Sequence, residues 1–158
     1  MIEINAVNLA VLGAAIAEAA AIAGSCWGIV ATGTAGAAAI AEDPGQFKNV
    51  LVLASLPMTQ TFYALIVLLM ITTRVVPKLS TASPEMGLIP LFICIITAVA
   101  ELISARYQGV VCAAGISLLP KTKGKILVPG MILAVYLELF GVLGMVFSIL
   151  AMSLLGLI

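Results

Sequence analysis

Four side chains interrupt the long apolar runs of this sequence with groups that could hold an ion: Thr59, Gln60, Gln108 and Glu138. Glu138 is the extreme case. It sits inside Val135-Tyr136-Leu137-Glu138-Leu139-Phe140-Gly141, and no other charge lies between Lys125 and Ile158. An ionised carboxylate at membrane depth costs about 2.5–3.5 kcal/mol on insertion scales, so such residues mark ion paths, proton relays or counter-ions. Gln60 lies 12 residues after Lys48, Gln108 lies 12 before Pro120, and Glu138 lies 13 after Lys125. At the helical rise each is about 18 Å from the adjoining turn, near mid-membrane. Leu56, Thr59, Gln60 and Tyr63 follow i, i+3, i+4, i+7 spacing and share one helix face. Pro57 brings no N–H, which frees the carbonyl of Leu53 and loosens the turn around Leu56. Freed carbonyls are tolerated in membrane helices where they line a site.

This set suits a hard monovalent cation. Glu138 supplies one negative oxygen, and Thr59, Gln60, Gln108 and a loosened carbonyl supply neutral ones. A proton would need only the carboxyl. Tyr63 stands one turn further along, placed to donate its hydroxyl to Glu138. A plainer role for the polar residues is interhelical hydrogen bonding, worth about 0.6 kcal/mol each.

The elements that must position these groups are helices. The chain has 158 residues, 63% hydrophobic and 9% charged, with mean hydropathy +1.28. Soluble domains carry about 25% charge, so a membrane protein is expected. Four apolar segments, roughly 6–40, 50–76, 88–119 and 126–157, reach the twenty or so residues a spanning helix needs. They lack the alternation of barrel strands. Glu42-Asp43-Pro44-Gly45-Gln46 and Pro120-Lys121-Thr122-Lys123-Gly124-Lys125 read as tight turns. The fold class is therefore all-α: a first transmembrane hairpin over 1–76, a connecting loop over 77–87, and a second hairpin over 88–158. Lys48, Lys121, Lys123 and Lys125 flank the hairpin turns, against Arg74 and Lys78 at the middle loop, which places both turns in the cytoplasm and both termini outside. No signal peptide is expected, since no basic region precedes the first apolar run.

The halves repeat. Thr32-Gly33-Thr34-Ala35-Gly36-Ala37-Ala38-Ala39-Ile40 aligns with Gln108-Gly109-Val110-Val111-Cys112-Ala113-Ala114-Gly115-Ile116, and past the turns Pro57-Met58 falls beside Leu137-Glu138. Only the second hairpin of this duplication carries the carboxylate. Gly13, Ala17, Ala21, Gly24, Gly28, Thr32 and Gly36 form a small-residue stripe on the first helix, and Ala105, Gly109, Cys112 and Ala113 thin the third. Such stripes let membrane helices approach closely. Slim first and third helices with bulky second and fourth ones point to subunits closed in a ring.

Seven basic and seven acidic residues give no net charge, so no nucleic-acid partner is expected. There is no His, which excludes imidazole metal sites and His-based catalysis. Cys26, Cys94 and Cys112 lack ligand spacing and read as packing residues. Glu18 and Glu101 are expected near the outer interface. Arg106, two positions before Gln108, should point away from the ion site toward the ring interior. Trp27 and Tyr107 read as packing residues.

Two hairpins with a lone Glu in the fourth helix, Gln108-Gly109, and the run Leu56-Pro57-Met58-Thr59-Gln60-Thr61-Phe62-Tyr63 resemble the rotor-ring proteolipid (subunit K) of vacuolar-type and archaeal-type rotary ATPases, in its bacterial sodium-carrying branch. The resemblance covers nearly the whole chain. It implies that the Leu56 carbonyl, Thr59, Gln60, Gln108 and Glu138 ligate Na+, with Tyr63 behind them, and that no organic cofactor is used. It implies a non-catalytic subunit in a homo-oligomeric, lipid-embedded ring in a bacterial plasma membrane. Its partners would be a stator membrane subunit with a basic residue and central-stalk subunits, coupling ion flow to ATP chemistry in a soluble head. The family pattern has a small residue where Met58 stands, which would narrow the site. The residues by themselves also fit a proton-carrying ring, a small independent exporter, or a structural tetraspan protein.

Overall fold

The computed structural model describes residues 5–158, so the start of the first hairpin, residues 1–4, lies outside the described residues. Among the described residues four helices are long and apolar enough to cross a membrane: α1 (Ala6–Glu42), α2 (Pro44–Leu79), α3 (Pro84–Thr122) and α4 (Leu127–Leu154). No strand occurs among the described residues. Asn5 caps α1, its side chain accepting from the Asn8 N–H at 2.8 Å. Asp43 ends α1 and starts α2. Its own N–H returns to the Ala39 carbonyl, and its carboxylate accepts from the Gly45 N–H at 3.0 Å and from Gln46 Nε2 at 2.8 Å. Pro44 opens α2 where a missing N–H costs nothing.

Proline also shapes α2 internally. The helix tightens to a 3-10 turn over Leu56–Met58 around Pro57, and widens to a π turn over Ile71–Val75 just before Pro77. Pro77 cannot bond the carbonyl of Thr73, and the wide turn takes up the mismatch. The helix therefore continues to Leu79, past the expected end at residue 76. Pro120 likewise does not break α3, which runs on to Thr122. The reversal falls instead at Lys123, which is left-handed (φ 50°), and Gly124 (φ 80°).

The two hairpin turns meet at one end, where a Cβ on Gly124 would stand 2.8 Å from Asn49 Nδ2. At the other end Lys78 Nζ donates to the Gly156 carbonyl at 3.1 Å, and Gly87 packs on the backbone of Ala6. Along the seam between α1 and α3 every residue of the small stripe on α1 is buried. Gly28 and Gly109 touch backbone to backbone, and a Cβ on Gly24 would come 2.6 Å from the Leu102 carbonyl. Ala105 and Cys112 are buried in the same seam, whereas Ala113 is half-buried.

The apolar core divides in two. One part gathers Ala10, Ala14, Val67, Ile71, Val75 and Met152, the other Leu53, Cys112, Ile116, Leu119 and Ala134. On α2, α3 and α4 alike, the polar residues lie between these parts. Gly109→Val should therefore lower thermal stability in detergent by about 3 kcal/mol or more, since overpacking alone costs about 1–3 kcal/mol and here the obstacle is backbone. Gly33 has open space where its Cβ would be. Gly33→Ala should leave stability unchanged or raise it by up to about 1 kcal/mol.

Candidate ion site

The tight turn at Pro57 presents Leu56, Thr59 and Gln60 to α3 and α4. Thr59 Oγ1 stands 3.0 Å from the Leu56 carbonyl and 3.2 Å from Gln60 Oε1. One hydroxyl proton cannot serve both acceptors, so an oxygen here is always left over. Gln60, fully buried, donates from Nε2 to Gln108 Oε1 at 2.8 Å and to Ser104 Oγ at 3.0 Å. Gln108, equally buried, donates to Glu138 Oε2 at 3.2 Å and to the Ala134 carbonyl at 3.3 Å. Its own Oε1 keeps a second lone pair. Tyr63 donates to Glu138 Oε1 at 2.7 Å. Glu138 is half-buried, within reach of whatever packs against α4.

Leu56, Thr59, Gln60, Tyr63, Gln108 and Glu138 thus form one connected hydrogen-bond network across three helices. Two donors, Tyr63 and Gln108, hold the carboxylate. The arrangement is rich in oxygens and has no lysine or arginine in it, which suits a small cation better than an anion. Among the described residues no cluster of His, Cys, Asp and Glu has the make-up of a transition-metal site.

Ser104 is a member of this network that sequence reasoning missed. It accepts from Gln60 and donates to the Leu137 carbonyl at 2.7 Å, tying α2, α3 and the backbone of α4 together beside Glu138. Its position four residues before Gln108, on the same face, was the available signal. Thr97 and Ser148 pair further along the seam of α3 and α4.

Other expectations need correction. Glu101, expected by its depth near the outer interface, is fully buried between α3 and α4, an enclosure that depth did not predict. Glu18 is half-buried, with Oε2 enclosed and without a hydrogen-bond partner. Met58 is 44% exposed and lines a groove with Ile22, Cys26, Ile29 and Phe62, so it does not narrow the ion site. Arg106 does point away from the site. It lies 5.3 Å over Trp27 and 5.9 Å over Tyr107, so these rings carry a cation rather than merely pack. Cys94 and Cys112 are buried; Cys26 is exposed.

Paired membrane hairpins that bring a carboxylate, two amides and a threonine to one depth define an ion-translocating membrane protein, and sequence comparison places the chain accordingly. It belongs to the ATP synthase C-subunit family, as a non-catalytic rotor component of a V-type ATPase. The pattern of that family matches residues 12–71, the hairpin without the carboxylate. V-type sodium ATPase subunit K of Enterococcus hirae is 35% identical over 141 residues, which are 89% of this chain and 88% of that protein. Ser104→Ala removes one acceptor and one donor from the network. It should cost about 1 kcal/mol of thermal stability and leave the secondary structure seen by circular dichroism intact.

Proposed function

We propose that this protein carries sodium ions. The observation that carries this reading is the excess of oxygens over donors around Glu138. The Leu56 carbonyl, Thr59 Oγ1, Gln60 Oε1, Gln108 Oε1 and Glu138 would form the cation's shell, and Tyr63 would hold the carboxylate in place. Similarity to the V-type sodium ATPase subunit K of Enterococcus hirae supports the choice over protons. The bound cation cancels the charge of Glu138, so the loaded site can cross the lipid-facing part of a rotation at little electrostatic cost.

The protein would work in a closed homo-oligomeric ring, with α1 and α3 inside, and α2 and α4 outside against lipid. The exposed Tyr136, Phe140 and Phe147 on α4 are consistent with that placement. A stator membrane subunit with a basic residue would unload Glu138, and central-stalk subunits would link the ring to the soluble head. The hairpin turns would face the cytoplasm of a bacterium and both termini the outside. The chain would comprise a duplicated pair of hairpins, 1–76 and 88–158, joined by 77–87. Each elementary charge moved through 100 mV contributes about 2.3 kcal/mol to the coupling.

Carbodiimide reacts with protonated membrane carboxyls. It should modify Glu138, and millimolar sodium at neutral pH should protect it. Labelling indifferent to sodium would favour the proton-carrying ring. Gln108→Ala should weaken sodium protection while the oligomer remains assembled; loss of assembly instead would assign Gln108 a structural role. Tyr63→Phe removes a charge-assisted hydrogen bond worth about 1.5–3 kcal/mol, and the sodium concentration needed for half-protection should rise by roughly ten- to a hundredfold.

A further inference from the structure

Glu101 is a second membrane carboxylate that the ion site does not use. It lies on the face of α3 that carries Ser104 and Gln108, three and seven residues before them. It is 0% exposed, and neither carboxylate oxygen has a hydrogen-bond partner. Helix α4 makes the space for it. A Cβ on Gly141 would stand 2.7 Å from Glu101 Oε2 and 3.2 Å from both Gln60 Cγ and Ser104 Oγ. A Cβ on Gly144 would come 3.7 Å from Glu101 Oε1.

The repeat shows that this pocket is particular to one hairpin. The register that sets Thr32 over Gln108 sets Ser25 over Glu101, and the register that sets Met58 beside Glu138 sets Thr61 beside Gly141. In the first hairpin the Thr61 hydroxyl donates to Ser25 Oγ at 2.8 Å, a neutral pair that fills the equivalent spot. In the second, the side chain on one helix is absent and a carboxylate extends from the other. Among the described residues no cation comes to meet it, and Arg106 is turned to Trp27 and Tyr107. A buried carboxylate with neither donor nor counter-charge is strongly disfavoured in its ionised form.

We propose that Glu101 is a second monovalent-cation point of the protein, holding a cation of its own in the pocket opened by Gly141 while Glu138 holds the transported one. The cation is a proton on the carboxyl or a sodium ion shared between Glu101 and Ser104 Oγ. Either neutralises the carboxylate and leaves the seam of α3 and α4 without net charge. The proposal rests on the ion-site reading only in counting the cation of Glu138 separately.

Two measurements on the purified oligomer test it: equilibrium binding of radioactive sodium per protomer, and the infrared carboxylic C=O band at saturating sodium. If the cation is a proton, one sodium binds per protomer, and a carboxylic band persists that disappears in Glu101→Gln but not in Glu18→Gln. If it is sodium, two ions bind per protomer and Glu101→Gln reduces the count to one. Glu101→Asp keeps the carboxyl and should shift the band or weaken the second sodium, so the assignment survives a failure of Glu101→Gln to assemble. A sodium count unaffected by changing Glu101, with no carboxylic band assignable to it, would overturn the proposal. No bound sodium at all, with the Glu101 band present, would overturn the sodium reading of Glu138 and leave this one standing.

Discussion

A carboxylate in a bilayer is tolerated only while its charge is shared, and that constraint governs the middle of this molecule. Tyr63 and Gln108 each give Glu138 a hydrogen bond, from α2 and α3 respectively. Gln108 is in turn held by Gln60, and Gln60 by Ser104. None of these groups carries a positive charge. The network orients the carboxylate without neutralising it, which is the ground for proposing a mobile cation as its counter-charge. A lysine in the same place would form a permanent pair and leave no room for the proposed cation to exchange.

Such a network works only if three helices reach the same level in fixed register, and glycine contacts set that register. The contact of Gly28 with Gly109 locks α1 to α3 one residue from Gln108. The absence of a side chain at Gly141 brings α4 close enough for Ser104 to reach the Leu137 carbonyl. Apolar clusters above and below hold the helices together and keep water from the polar level. Proline contributes at one place, where the short 3-10 turn at Pro57 turns Leu56 and Thr59 toward Gln60.

Much of this is legible in the sequence because depth in a membrane is a residue count. The distances of Gln60, Gln108 and Glu138 from their turns predict that they share a level, and periodicity predicts the face of Leu56, Thr59, Gln60 and Tyr63. The small-residue stripe predicts the seam of α1 and α3. What counting cannot supply is rotation about the helix axis relative to a neighbour. Depth alone therefore does not show that the seam of α3 and α4 encloses Glu101. Ser104 gives no signal by itself, because a single serine in a membrane helix can satisfy itself on the preceding turn. Met58 adjoins Pro57 and is expected to narrow the site, yet it lines an exposed groove beside Ile22, Cys26 and Ile29 of α1. The continuation of α2 beyond Pro77 depends on a π turn for which the sequence has no simple mark.

The division of labour between hairpins follows from the same geometry. The first hairpin supplies the neutral oxygens of Thr59 and Gln60, and the second supplies the charge and Gln108, so the proposed site needs both. Sodium is the cation proposed to move through this site, carried by Glu138. The most direct measurement is ATP-driven uptake of radioactive sodium into vesicles containing the whole complex, with protons short-circuited by an uncoupler. Uptake that continues with the uncoupler and is lost in Glu138→Gln is the predicted result. Uptake that collapses with the uncoupler, or that survives Glu138→Gln, would contradict it.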